Sequence, residues 1–470
     1  MRKTKIICTI GPASESPEML EKLVKAGMNV MRLNFSHGSH PEHLEKINTL
    51  MSVNEKLGTD VAVLLDTKGP EIRTGDFEDG VAEFENQQQV VICQEDVVGT
   101  SSRFTTTYKE LYSDVEVGTH ILVNDGQIEL VVEEIKDKDI VCRCLNNGQV
   151  KNKRGINVPG IKLSFDYLSD KDVADIIFGC QQPVNFIAAS FVRRAQDVID
   201  VKKILAEQGR TDIQVIAKIE NQEGVDNVNE ILEVADGIMI ARGDLGVEVP
   251  AEDVPLIQKE TIIKCNNKGK IVITATQMLE SMQLNPRPTR AEVSDVANAI
   301  YDGTDAIMLS GESASGNYPE EAVETMDRIA TTTEASLNYS SLHRRAVRTA
   351  FDDTSEAICM SVAEIATKFN AQAIIAFTKT GFTAKRMSRY RPKATIIAVT
   401  QSEETIKNLA LSWGVQPVKT NGVNTRAGKM EYANLLAIEK GVPSGSLIIV
   451  TGGDSNTGGN TSFMELVKVR

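Results

Sequence analysis

Two apolar runs near the middle of the chain each end in charge and glycine. Residues 213–224 read I-Q-V-I-A-K-I-E-N-Q-E-G, and residues 236–246 read D-G-I-M-I-A-R-G-D-L-G. Side chains two apart on a strand share a side, so Lys218 and Glu220 point the same way at the carboxyl end of the first run. The second run ends in Arg242-Gly243-Asp244. An ammonium and two carboxylates brought together suit a metal held by Glu220 and Asp244, beside a charge that stabilises an anion. A plainer reading is a buried Lys218–Glu220 ion pair that only positions strands.

Other apolar runs end in similar chemistry. In Met31-Arg32-Leu33-Asn34-Phe35-Ser36, the polar residues Arg32, Asn34 and Ser36 alternate with apolar ones. A guanidinium suits phosphate, and the Asn and Ser oxygens suit a hard cation. Asp66 and Thr67 add two more hard oxygens where the run 61–65 ends, and Gly69-Pro70 reads as a hinge. In Thr274-Ala275-Thr276 the two hydroxyls share a side, placed to position a water or relay a proton, although threonine is also ordinary strand material. Ser313 reads as a helix cap. The loop Thr378-Lys379-Thr380-Gly381-Phe382-Thr383 follows a strand and opens a helix, which makes an anion site, and the small polar stretch 451–461 could close over its ligand. His40 and His43 lack further ligands beside them. They read as the start of a solvent-facing helix, not a zinc site.

The elements that must carry these residues alternate. Strand runs at 5–10, 30–35 and 61–65 enclose helical patterns at 17–26 and 41–56, a βαβαβ order that predicts a parallel sheet. From 71 to 163 the pattern becomes period-two, with runs at 119–123, 128–132 and 140–144 and turn signals at 124–126, 136–139 and 146–148. This predicts a small all-β insertion. Alternation resumes at Ser169, with strands at 184–189, 213–219, 237–241, 270–275 and 306–309. Eight strands predict a closed (β/α)8 barrel, with an open doubly wound sheet as the competing count. A junction falls at 331–350. Beyond it, strands at 371–377, 395–399, 415–418, 446–450 and 463–469 alternate with helices at 354–369, 384–390, 403–413 and 425–440, a three-layer α/β domain.

A chain of 470 residues with a net charge of −14 leaves room for several domains and disfavours nucleic acid as a partner. No apolar run reaches membrane-spanning length, and Met1-Arg2-Lys3-Thr4 enters a strand pattern at once, without a signal peptide. Seven scattered cysteines, of which Cys142 and Cys144 would share one strand face, predict no disulfide and a cytoplasmic location.

The segments I-C-T-I-G-P-A, V-M-R-L-N-F-S-H-G, L-L-D-T-K-G-P-E-I-R-T, A-K-I-E-N-Q-E-G, I-M-I-A-R-G-D-L-G-V-E, I-T-A-T-Q-M-L-E-S-M and N-P-R-P-T-R-A-E-V-S-D-V-A-N-A together resemble pyruvate kinase of a bacterial type, in the family's order and over essentially the whole chain. The resemblance implies a barrel A domain at 1–70 and 167–335, a β-rich B lid at 71–166, a C-terminal effector domain at 336–470 and a homotetramer. It implies phosphoryl transfer from phosphoenolpyruvate to ADP, giving pyruvate and ATP, with Mg2+ (or Mn2+) and K+ as cofactors. Lys218 would stabilise the enolate oxygen and the transferring phosphoryl group, which Arg32 would also contact. Glu220 and Asp244 would bind Mg2+. Gly243, Asp244 and Thr276 would hold the substrate carboxylate, with Thr276 near the proton donor. Asn34, Ser36, Asp66 and Thr67 would bind K+, and Arg73 would reach the nucleotide phosphates. The loop 378–383 resembles the loop that binds a sugar-phosphate or nucleotide effector.

The chain departs from the family at a few places. Arg154, preceded by Lys153, stands where related bacterial enzymes have a lysine, which keeps a nucleotide contact plausible. Asn124-Asp125-Gly126 replaces an Asp-Asp-Gly turn, no acid occurs in 99–104 where K+-dependent members carry a lid glutamate, and the chain ends at Arg470 without the extra C-terminal domain of some relatives. Two other readings compete. A Mg2+-dependent lyase or aldolase acting on enolates would share Glu220 and Asp244 but has no use for a lid or Arg73. A metabolite sensor on an inactive barrel would not need Lys218, Glu220, Asp244 and Arg32 together.

Overall fold

The computed structural model describes residues 2–349, 353–423, 425–453 and 460–470. Eight parallel strands close a barrel: β1 (Lys5–Thr9), β2 (Val30–Asn34), β3 (Ala62–Asp66), β4 (Phe186–Ala189), β5 (Gln214–Ile219), β6 (Gly237–Ala241), β7 (Ile271–Ala275) and β8 (Ala306–Leu309). Closure is direct, because β1 pairs with β8 from Lys5↔Ala306 to Cys8↔Leu309. The open-sheet count is thereby set aside.

The strands have two faces with different tasks. One row of side chains, including Leu33, Leu65, Ile187, Ala217, Ile219 and Ile240, packs outward in the core shared with the surrounding helices. The other row, including Ile7, Val30, Leu64, Phe186, Ile216, Met239 and Met308, fills the barrel interior. Ala410 and Leu411 join that inner cluster from the C-terminal domain and stop the floor of the barrel. This explains why the helix expected over 403–413 ends early, at Glu403–Asn408. The chain turns so that the two apolar residues can be buried.

Between β3 and β4, the strands from Ile72–Arg73 to Gly155–Asn157 form a seven-stranded sheet and a two-stranded one around their own apolar core. Asn124 and Asp125 adopt left-handed φ values of 57° and 55°, the conformation for which turn-forming Asn and Asp are suited. Cys142 and Cys144 are both buried on one strand face, and all seven cysteines are unpaired. The insertion leaves the barrel at Gly69, whose φ is +72°. A Cβ there would lie 2.8 Å from that of Ser190, so only glycine passes. Its amide donates to Asp172, which also completes the Ser169 capping box of the helix Asp170–Cys180.

Residues 331–349 lie largely in the helices Pro319–Ala335 and Tyr339–Val347. Beyond them, β9 (Ala373–Phe377), β10 (Thr395–Thr400), β11 (Val415–Lys419), β12 (Leu447–Gly452) and β13 (Phe463–Lys468) form one sheet in the order β11-β10-β9-β12-β13, with only the last pair antiparallel. Among the described residues no helix is long and apolar enough to cross a membrane.

One surface reading is corrected. His43 is buried, stacks on Phe35 with ring centroids 4.0 Å apart, and shares a hydrogen bond with the carbonyl of His37. The helix His40–Leu57 turns this side of its first turn toward the barrel. His40 pairs with Asp175 at 2.7 Å.

Candidate active site

The inward rows change character along the barrel. Ile7 leads to Thr9, Val30 to Arg32, Leu64 to Asp66, Ala188 to Ser190, and Ile216 to Lys218 and then Glu220. Apolar residues seal the floor and middle, and polar residues crowd the carboxyl ends, which is where barrel chemistry sits.

Asp66 is the hub of that mouth. Its Oδ2 accepts from Arg32 Nε at 2.6 Å, and its Oδ1 accepts from Lys218 Nζ at 3.0 Å and Ser190 Oγ at 3.1 Å. Arg32 Nη1 also donates to Thr9 Oγ1 at 2.8 Å. Lys218 donates to Ser190 Oγ at 2.7 Å and lies 3.0 Å from Glu220 Oε1. Burial opposes the charge on Lys218, but Asp66 and Glu220 outweigh it, and the ammonium is held above its ordinary pKa. Burial likewise opposes the Asp66 carboxylate, and Arg32 and Lys218 more than offset it, so its pKa falls.

Glu220 stands differently. It is fully buried, and its pKa is pushed up to about 8, first by burial and then by Asp244 and Asp66 against the pull of Lys218. Its Oε2 accepts from the Phe191 amide at 2.6 Å, whereas Oε1 has the ion-pair contact with Lys218 but no hydrogen bond. Asp244 sits in the first turn of α1 (Arg242–Glu248), directly after β6, with no hydrogen bond or ion pair of its own. A buried, incompletely satisfied carboxylate oxygen and a free carboxylate acting on one another are what a hard divalent cation would satisfy. Among the described residues no group of three or more His, Cys, Asp or Glu gathers around a metal position. A cation held by two protein carboxylates would take its other ligands from substrate and water.

Thr276 is strained into place, with φ +66° on a β-branched residue and +52° on Gln277. Its Oγ accepts from the Gly243 amide at 2.7 Å and donates to the Ala275 carbonyl at 2.6 Å. Thr274 does not join it. The break in alternation after Ala275 leaves Thr274 on the other face, donating to Thr304 at 3.1 Å. Ser313 is not a cap either, since it lies inside the short helix Gly311–Ala314 and donates to the Thr9 carbonyl.

The four oxygen residues read as a monovalent-cation set lie near one another but differ in freedom. Asn34 Oδ1 accepts from the Ser36 amide at 3.0 Å, and the Ser36 hydroxyl has no hydrogen bond. Thr67 Oγ accepts from the Ser190 amide and donates to the Ala188 carbonyl. A carboxylate offers about four lone-pair positions. Three on Asp66 are taken, by Arg32, Lys218 and Ser190. The set is all hard oxygen with one carboxylate position left, which fits a weakly held alkali cation.

Above the mouth, a cavity of about 310 Å³ lies between the barrel and the inserted β domain, lined by Asp244, Glu248, Arg73, Arg154 and Asn157 among others. Asn157 Nδ2 in the inserted β domain donates to Glu248 Oε1 in α1 at 2.7 Å and ties that domain to the barrel. Arg73 is anchored by Glu71 and the Lys153 carbonyl, whereas Arg154 reaches the rim through the backbone ladder at Thr74. In the C-terminal domain, Gly381 has φ +81° at the start of α2 (Phe382–Arg389), the Lys379 carbonyl accepts from Thr405, and Thr378 continues from β9. Thr380 lies in the same turn. Thr383 is buried against Thr461 at 2.8 Å, and Phe382 covers Arg386. Residues 454–459 of the closing stretch lie outside the described residues.

Ser190, Thr9 and Phe191 are the site residues that motif reading missed. The first two were recoverable from inward parity. Phe191, with φ +53°, serves through its backbone amide and leaves no side-chain signal.

A barrel mouth that gathers two buried cations and three carboxylates beneath an inserted β domain defines an α/β-barrel enzyme suited to anionic substrates. The comparisons sharpen this. The family "Pyruvate kinase, barrel domain" matches residues 1–323, and "Pyruvate kinase, alpha/beta domain" matches residues 356–467. The pyruvate kinases of Staphylococcus haemolyticus and Staphylococcus aureus are each 54% identical over 99% of this chain and 80% of their own length. A crystal structure of a pyruvate kinase from Cryptosporidium parvum superposes with a TM-score of 0.95 at 40% identity, covering 100% of this chain and 96% of the other. The chain belongs to the pyruvate kinase family, and its reaction is transfer of the phosphoryl group of phosphoenolpyruvate to ADP, giving pyruvate and ATP. The lyase and sensor readings are set aside.

Proposed function

We propose that Lys218 and Arg32 are the cationic centre of this reaction. The observation that carries the proposal is their shared counter-ion: Asp66 holds both cations at the mouth and keeps Lys218 charged. Phosphoryl transfer brings several negative charges together, and positioning with charge neutralisation is the main task of the protein. Lys218 faces the enolate oxygen and the transferring group, and Arg32 faces the phosphoryl oxygens. Thr276, by holding the Gly243 amide, shapes the turn of Gly243 and Asp244 that receives the substrate carboxylate and stands near the proton donor to the enolate carbon.

Glu220 and Asp244 would hold Mg2+ (or Mn2+), and Asn34, Ser36, Asp66 and Thr67 would hold K+; bound there, the cations neutralise substrate charge and orient phosphoryl oxygens. Arg73 and Arg154 bind nucleotide phosphates from the lid side. The lid, tied down by Asn157 and Glu248, keeps out the water that would otherwise take the phosphoryl group. The loop 378–383 binds a phosphorylated effector, the enzyme assembles as a homotetramer, and the unpaired cysteines fit a cytoplasmic setting.

The test is Lys218→Met. Its turnover is expected to fall by about a thousandfold or more, because a charge aimed at the transition state acts there and not in ground-state binding. Mg2+-dependent phosphoenolpyruvate binding, followed by calorimetry, is expected to persist. Near-normal pyruvate formation in this variant would sink the assignment.

A further inference from the structure

The floor of the barrel, opposite the catalytic mouth, carries a second cavity of about 440 Å³. Its walls come from the amino-terminal ends of β5 to β8 and from α2 of the C-terminal domain, and they include Gln214, Asp236, Lys270, Lys385 and Ser412.

Most cations on this wall are already neutralised. Arg391 lies 2.7 Å from Asp305, Arg386 2.8 Å from Glu356, and Lys268 and Arg389 pair with Glu233 and Glu356. Lys270 and Lys385 are the exceptions. Lys270 Nζ donates to the Ala235 carbonyl at 2.7 Å, and Lys385 Nζ donates to Gln214 Oε1 at 2.7 Å. Neither has a carboxylate at ion-pair distance. Asp236, the acid that acts on both, is already paired with Lys202 at 2.9 Å. The protein thus keeps two cations close enough to repel one another, each with donors to spare. Ser412 also contributes to the wall and is 4% exposed.

We propose that this cavity binds a phosphate group, with Lys270 and Lys385 as its donors. Two ammonium groups match the charge of a phosphate dianion, and each has donors to spare for its oxygens. The cavity exceeds what one phosphate fills, so the organic part of a phosphate monoester has room beyond the anion. The site is separate from the loop 378–383, because Lys385 lies on the part of α2 that faces the barrel. A ligand here would join that helix to the foot of β7, the strand whose other end leads to Thr276.

The experiment is calorimetric titration of the full chain in Mg2+-free buffer with inorganic phosphate and, in a second arm, with ribose 5-phosphate. Wild type and Lys379→Glu are expected to bind at the floor alike, whereas Lys385→Met and Lys270→Met bind about tenfold more weakly or worse, as expected for loss of one charge-assisted bond. The methionine stem keeps the packing, and thermal unfolding of both variants checks that each is folded. Tighter binding of the ester, lost in both lysine variants, assigns the site to phosphate monoesters. Equal affinity for both probes, lost in the same variants, assigns it to free phosphate. Wild-type affinity in both lysine variants, or loss only in Lys379→Glu, overturns the proposal.

Discussion

Arg32 and Lys218 share one counter-ion, with Arg32 Nε 2.6 Å from Asp66 Oδ2 and Lys218 Nζ 3.0 Å from Asp66 Oδ1. The carboxylate sits between the two cations proposed to meet the phosphoryl group. Asp66→Asn would keep the shape and remove the charge. An amide must also turn one donor toward a cation. Loss of turnover of about a hundredfold or more is expected, with a stability loss of about 3 kcal/mol from leaving buried cations under-neutralised. Steady-state kinetics and thermal unfolding together check this. A variant destabilised as expected but with near-normal kcat would make Asp66 structural only.

The remaining lone pair on Asp66, the free Ser36 hydroxyl, Asn34 and Thr67 are the set proposed for an alkali cation. Pyruvate formation from phosphoenolpyruvate, ADP and Mg2+ is expected to fall about tenfold or more when K+ is replaced by Na+, since a larger hard cation better suits oxygens that cannot close in. Equal rates in both salts would remove the functional role of these four residues and leave the kinase intact.

Much of this was legible because barrel chemistry repeats a simple rule. Arg32, Asp66, Lys218 and Glu220 all follow apolar residues of the same parity, and strand alternation alone aims them inward. What the sequence hid was everything that alternation does not govern. Thr274 obeys parity and so leaves the site, whereas Thr276 reaches it through a left-handed backbone that no periodicity announces. Phe191 contributes an amide. The early end of the helix at Asn408 reflects the pull of Ala410 and Leu411 into the barrel floor, a contact between residues far apart in the chain. His43 looked solvent-facing because its helix is polar, yet Phe35 claims its ring.

The loop 378–383 makes a separate prediction. Its backbone is fixed by Gly381 and by Thr405, so a phosphorylated effector would find preformed amides and the Lys379 charge at the start of α2. Lys379→Glu is expected to abolish activation by a phosphorylated sugar, read as the ratio of rates with and without effector at subsaturating phosphoenolpyruvate. An unchanged ratio would place the effector elsewhere.

The barrel floor carries a buried charge whose effect on stability can be read against pH. Lys5 donates to the Val415 carbonyl at 2.7 Å in a fully buried setting. Burial, with Arg2 and Lys3 adding to it against Glu334, lowers its pKa from 10.5 to about 7. The folded chain therefore binds this proton less tightly than the unfolded one. Below about pH 7 both states hold the proton and the folded state carries the full penalty of a buried charge. Between about pH 7 and 10.5 the unfolded state holds more protons, so this group makes stability rise with pH through that window. Lys5→Met removes the ionisable group and leaves one carbonyl without its donor. It is expected to stabilise the protein by about 1–2 kcal/mol at pH 6.5, less than the full shift implies because that hydrogen bond is lost. The gain should shrink and then reverse toward pH 10, where the wild-type lysine is neutral in the fold. Chemical denaturation at the two pH values measures both. A variant less stable than wild type at pH 6.5 would show that the hydrogen bond to Val415 outweighs the buried charge.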